Sequence, residues 1–155
     1  MRIIISLIFF LVTTGCGFKV LDHTGIKNYE ILEIKSEGDK KVNFFLKSEL
    51  NNLLNANNAA DKLIISIMTK KTKSIKEKNK KNQITKYNIN IDSSIELNFI
   101  NKGLIKNIFL NKEGFYNVDT NHSITRNNQK NIEKNLNDKL SQDLSNKIIK
   151  IINEF

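Results

Sequence analysis

Tyr87-Asn88-Ile89-Asn90-Ile91-Asp92-Ser93-Ser94-Ile95-Glu96-Leu97-Asn98-Phe99 is the stretch on which the fold turns. Tyr87, Ile89, Ile91, Ser93, Ile95, Leu97 and Phe99 fall on one side of a period of two, and Asn88, Asn90, Asp92, Glu96 and Asn98 on the other. Successive side chains of a strand point to opposite faces, so this is a long strand with one face buried and one wet. Asn101-Lys102-Gly103 follows as a turn, with a glycine free to take a positive φ. It passes the chain to a second strand from Leu104 to Leu110 that continues irregularly to Val118, and the two make a hairpin.

After Asp119 to Ser123, a run of helix-capping residue types, Ile132, Leu136, Leu140, Leu144, Ile148 and Ile152 recur every four positions, and Ile149, Ile151 and Phe155 widen the stripe. This predicts a long terminal helix with one apolar face. The stripe fits either the strand face of Tyr87 to Phe99 or a partner helix, and packing on the sheet is the simpler account. Upstream of Tyr87, Lys70, Lys71, Lys73, Lys76, Lys78, Lys80 and Lys81 stand against Glu77 alone, a net charge of +6, which predicts a solvated loop or the protruding end of a hairpin. Before them Leu63, Ile65, Ile67 and Thr69 alternate with Ile64, Ser66 and Met68, a strand apolar on both faces at its start and so covered. Val42, Phe45, Leu46, Leu50, Leu53 and Leu54 have the three-and-four spacing of an amphipathic helix with Asp39 as N-cap, ending near Asn55 to Asn58. Tyr29 to Lys35 reads as a first strand, broken by Ser36 to Asp39.

The order strand, helix, strand, strand, strand, helix predicts an α+β fold: a mostly antiparallel four-stranded sheet with two helices packed on one face and the other face polar and open. One domain over 29–155 accounts for the whole pattern, and no internal repeat appears.

The chain begins with a segment of another kind. Met1-Arg2 supplies one positive charge, Ile3 to Val12 is apolar except for Ser6, and Thr13-Thr14-Gly15 leads into Cys16. A bilayer-spanning helix needs about 20 apolar residues, so this shorter run reads as an export signal over 1–15. Cys16 is the single cysteine, which excludes an internal disulfide. It is either the attachment point of a lipid or a free thiol after ordinary secretion. Residues 16–28, with Gly17 and Gly25, read as a tether.

A formal charge of +9 would raise nucleic acid as a partner, but an exported chain meets anionic lipid and glycolipid first, and aromatic residues do not interleave with the lysines as a single-strand platform requires. Asn, Ile and Lys abound and proline is absent, a bias that strips asparagine of functional weight. His23 lies in the tether and His122 near a helix start, and Asp39, Asp61, Asp119 and Asp138 sit at element ends or on helix surfaces. With no converging nucleophile, base or metal cluster, no catalytic or metal-ligating residue is assigned and no cofactor is expected beyond a covalent lipid on Cys16.

Gly15-Cys16-Gly17-Phe18, the two-helix, four-strand order and the leucine-isoleucine stripe of the last helix together resemble the LptE family of lipopolysaccharide-assembly lipoproteins, over essentially the whole mature chain. The small residues before Cys16 resemble a lipobox, with Thr13 where that pattern usually has leucine. The resemblance implies an outer-membrane lipoprotein on the periplasmic side, lipid-anchored through Cys16, that helps assemble and plugs the β-barrel LptD and contacts lipopolysaccharide. Lys70, Lys71, Lys73, Lys76, Lys78, Lys80 and Lys81 are then the candidate lipopolysaccharide-contacting residues, with Lys102 and Lys106 weaker ones. Such lysines can meet lipid phosphates as mobile point charges, or serve only as a solvated face. The rival readings are an envelope-assembly accessory lipoprotein, of pilotin or barrel-assembly type, that binds protein only, and a lipid-anchored hydrolase.

Overall fold

The structure is a computed structural model that describes residues 29–154 apart from Asn55, Asn57 and Asn58. The export signal, Cys16, the tether and His23 lie outside the described residues. The elements are β1 (Tyr29–Gly38), α1 (Lys40–Leu54), β2 (Asp61–Lys78), β3 (Ile84–Phe99), β4 (Leu104–Asn117) and α2 (His122–Ile152), with a 3-10 turn at Ile100–Lys102. The four strands form one sheet in the order β1-β2-β3-β4, with β1 parallel to β2 and the other pairs antiparallel. The α+β class and the element order are as the sequence indicates.

The inward face of β3 is Ile89, Ile91, Ser93, Ile95, Leu97 and Phe99, each buried, as its alternation requires. Ile65 and Ile67 of β2 and Ile108 and Leu110 of β4 flank them. α1 adds Val42, Leu46, Leu50 and Leu54, and α2 adds Leu136, Leu140, Leu144, Ile148 and Ile149. These residues form one continuous core under both helices. Each such Leu or Ile removed from water contributes about 1.5–3 kcal/mol, which orders a long helix whose other faces are lysine and asparagine.

Gly38 fixes the passage from β1 into α1. It has φ +97°, and a Cβ there would meet the Thr69 carbonyl oxygen at 1.8 Å. Without a side chain the backbone lies against β2, where the Thr69 Oγ1 accepts from the Asp39 N–H at 3.0 Å and donates to Asn43 Oδ1 at 2.8 Å. Asn43 Nδ2 in turn donates to the Glu37 carbonyl at 3.0 Å. Asp39 is the N-cap the sequence suggests: its Oδ1 accepts from the N–H groups of Lys41 and Val42 at 3.1 and 3.0 Å.

Two boundaries differ from the sequence reading and a third agrees with it. β1 runs on through Ser36 to Gly38, because β2 supplies a hydrogen-bonding neighbour as far as Thr69. β4 is regular to Asn117, its inward and outward sides alternating in strict register with β3. α2 starts at His122, inside the capping run Asp119 to Ser123 as expected and ten residues ahead of its apolar stripe, capped by Asn121, whose Oδ1 accepts from the Ser123 N–H at 2.8 Å. Gly103 takes φ +60° at the β3–β4 turn, as expected there.

Candidate functional site

β2 is 18 residues long and continues as a strand from Lys70 to Lys78 through most of the lysine run. The protruding hairpin end, of the two forms open to this segment, is the one the chain adopts. Pairing with β3 persists to Lys78, opposite Ile84. The turn is shaped by asparagines: Asn79 Oδ1 accepts from the N–H groups of Lys81 and Gln83 at 2.9 and 3.0 Å, and Asn82 takes φ +61°, which asparagine tolerates.

Alternation splits the seven lysines into two groups. Lys71 and Lys73 point to the helix-bearing face. Lys71 lies 3.1 Å from Asp39 and 4.0 Å from Glu133. Lys73 Nζ sits 4.0 Å from the centre of the Tyr87 ring and 5.3 Å from that of Tyr116, and donates to Gln129 Oε1 at 3.4 Å. Tyr87 and Tyr116 stack at 5.7 Å. Both lysines thus close the far end of the core with charge in place of apolar side chains. Lys70, Lys76, Lys78, Lys80 and Lys81 are exposed. Lys76 lies 4.2 Å over the ring of Phe115, and Lys78 donates to Asn82 Oδ1 at 3.0 Å. Lys102 is at the other end of the sheet, donating to the Tyr29 hydroxyl at 2.9 Å, and Lys106 lies on the inward side of β4.

Glu133 anchors the inward cluster. Burial works to raise its carboxyl, but hydrogen bonds from Gln129 Nε2 at 2.9 Å and Lys41 Nζ at 3.2 Å outweigh this and hold it below the ordinary carboxylate value. Asp39 is lowered in the same way, burial being overcome by the Val42 N–H and by Lys71. These carboxylates are structural partners of lysines. Among the described residues no group of three or more His, Cys, Asp or Glu side chains is placed to hold a metal ion.

The open sheet face carries the asparagines and acids the alternation predicts, tied to one another: Asn111 Nδ2 donates to Asn90 Oδ1 at 2.9 Å and Asp92 Oδ1 at 2.7 Å. It also carries large apolar side chains. Phe109 is 70% exposed and Met68 61% exposed, and both pair with Ser94 across the sheet, so they flank one shallow depression. Ile105 and Phe115 are also exposed on the outward side of β4, separated from Phe109 by Asn107 and by Asn111 and Glu113 respectively. The sequence of β4, with large apolar residues at both odd and even positions, gives no sign of which would face outward; only the register with β3 decides it.

No family model matches the chain, and no curated protein matches it by sequence. Solved structures do resemble it in fold. A candidate lipoprotein from Caulobacter crescentus superimposes with a TM-score of 0.54 at 12% identity, over 84% of this chain and 94% of that one. A minor lipoprotein from Acinetobacter baumannii gives 0.51 at 13% identity, over 76% and 92%. The fold is one found among bacterial lipoproteins. Rare lipoprotein B from Shewanella oneidensis aligns over 79% of this chain and 94% of its own at 12% identity, with a TM-score of 0.48.

Proposed function

We propose that this chain is a lipid-anchored, non-enzymatic subunit of a lipopolysaccharide-export β-barrel of the LptD type, helping that barrel assemble, plugging its lumen and contacting lipopolysaccharide through its exposed lysines. Cys16 is the anchor in this reading and the outer membrane, on its periplasmic side, the location.

The observation that carries the proposal is the placement of charge relative to the anchor. The tether enters the fold at Tyr29, which pairs with Asp61 at the start of β2, whereas Lys76, Lys78, Lys80 and Lys81 lie at or beyond the strand's far end. At roughly 3.3 Å per residue, β2 separates the two by about 55 Å. A body of that length, entered from one end by a lipid-bearing tether and positively charged at the other, suits insertion along a barrel axis, with the cationic end meeting phosphates deep in the lumen. An apolar layer about 30 Å thick is shorter than the body, so lysines at the far end clear it. The fold shared with lipoproteins of other bacteria and the export-signal-like start of the chain support the same reading.

A protein-only accessory role is favoured by one feature, the exposed pair of Met68 and Phe109, which a polypeptide partner would cover.

A tag after Phe155 and a pull-down from detergent-solubilised outer membranes test the choice. Recovery of a large export-type barrel at near-equal amount, reduced by Cys16→Ala, is the expected result. A preparation free of any barrel overturns the plug role.

A further inference from the structure

The edge of the sheet beyond β2 is a step. β1 covers β2 from Asp61 to Thr69 and then leaves the sheet at Gly38. From Lys70 to Lys78 β2 is hydrogen-bonded to β3 on one side, regularly to Ile75 and through bulges beyond it, and, among the described residues, has no strand on the other. The Thr69 carbonyl faces Gly38, so by alternation the main-chain groups of Lys71, Lys73 and Ile75 point into the same open notch. Beside it, no strand among the described residues pairs with the outer edge of the ten-residue β1.

The geometry points to a second copy of this chain as the occupant of the notch: β1 of each copy adds antiparallel to the open half of β2 in the other, giving a two-fold dimer with one continuous eight-stranded sheet. A two-fold axis perpendicular to the sheet turns the step of one copy into the notch of the other and keeps the helices of both on the same side. The contact is isologous and closes on itself. Length agrees, since the open stretch is half of the 18-residue β2 and β1 has ten residues.

Charge agrees as well. The open edge bears Lys70, Lys76 and Lys78 on or around its outward side, while β1 bears Glu30, Glu33 and Glu37 against a single Lys35, whose Nζ lies 3.5 Å from Glu33, and so remains net acidic. If Ile34 stands opposite Ile75, both on the helix-bearing side, Glu33 meets Lys76, Glu37 reaches Lys70 diagonally and Glu30 nears Lys78. Ile75 is 50% exposed in the single chain and gains an apolar neighbour. Lysines on an edge repel strands of their own sign and favour an acidic one, so the same residues that prevent indiscriminate pairing select β1. The inference does not rest on the barrel reading; a chain seated in a lumen and a chain paired with its copy are alternative states of this edge.

Charge exchange tests it. The chain from residue 16 with Cys16→Ser keeps every residue of the described fold and takes no lipid, so its mass can be read by sedimentation at low salt. The expected result is a monomer–dimer equilibrium that shifts to monomer as salt rises. One variant, Lys70→Glu with Lys76→Glu and Lys78→Glu, makes both edges acidic. A second, Glu30→Lys with Glu33→Lys and Glu37→Lys, makes both basic. Each alone weakens self-association at least about tenfold, and the two mixed form a heterodimer, which also proves both folded. A wild-type chain monomeric at all concentrations overturns the inference, as does a dimer that survives either reversal or a mixture that fails to pair.

Discussion

The two halves of β2 are one strand with opposite fates. From Leu63 to Thr69 every second side chain is buried under the helices and β1 covers the edge. From Lys70 to Lys78 the same strand, paired with the same β3, is exposed along all but Lys71, with lysines over tyrosines where the near half has isoleucines. Cross-strand pairing suffices to make a strand here, while burial decides which part of it carries stability.

Truncation to alanine at a buried inward residue of the near half and at an exposed outward residue of the far half separates their contributions. Ile65→Ala should cost about 2–5 kcal/mol, the range for deleting a fully buried aliphatic side chain, whereas Ser74→Ala should stay within about 0.5 kcal/mol; urea unfolding midpoints measure both. Equal losses would show the far half to be as tightly held as the core. At the junction between the halves, Gly38→Ala combines a strained φ with a Cβ driven into the Thr69 carbonyl, and an expected loss of about 3 kcal/mol would appear in the same assay. A neutral result would mean that β1 leaves the sheet by another path.

Acid should act on the junction and the far half before the core. Asp39 and Glu133 are held below their ordinary values in the folded chain, so their contribution is fully present above the unfolded values, near 3.8 and 4.5, and is lost as pH falls through the lower folded ones. Unfolding midpoints should therefore drop as pH falls below about 4.5, and Glu133→Gln with Asp39→Asn should flatten that drop. A slope unchanged by the pair would remove the carboxylate–lysine cluster as its cause. The smallest informative change is Asn121→Ala, which deletes the cap of the exposed first turns of α2; about 1 kcal/mol is expected, with amide exchange accelerating locally around Ser123 and none of the core amides affected.

The candidate site was half legible. The lysine run announces itself by charge, and the hairpin end was one of two forms open to it. That Lys71 and Lys73 turn inward while the others turn out depends on continuing the alternation of Leu63 to Thr69 through a segment with no apolar residue before Ile75 to reveal it. The exposure of Phe109 and Phe115 was not legible, because Leu104 to Tyr116 has apolar residues on both sides and its own sequence does not say which side the helices cover.

By itself, the sequence determines the elements and their class. A period of two in Tyr87 to Phe99 and a period near 3.6 in Ile132 to Ile152 each need a single apolar face, and the only economical way to bury both is to lay one on the other. Tertiary structure alone decided where β1 stops, which edge of β2 is left open and which lysines become part of the fold. Those outcomes depend on contacts between residues far apart in the chain, Gly38 with Thr69 and Lys71 with Glu133, and no local pattern encodes a neighbour that only folding brings near.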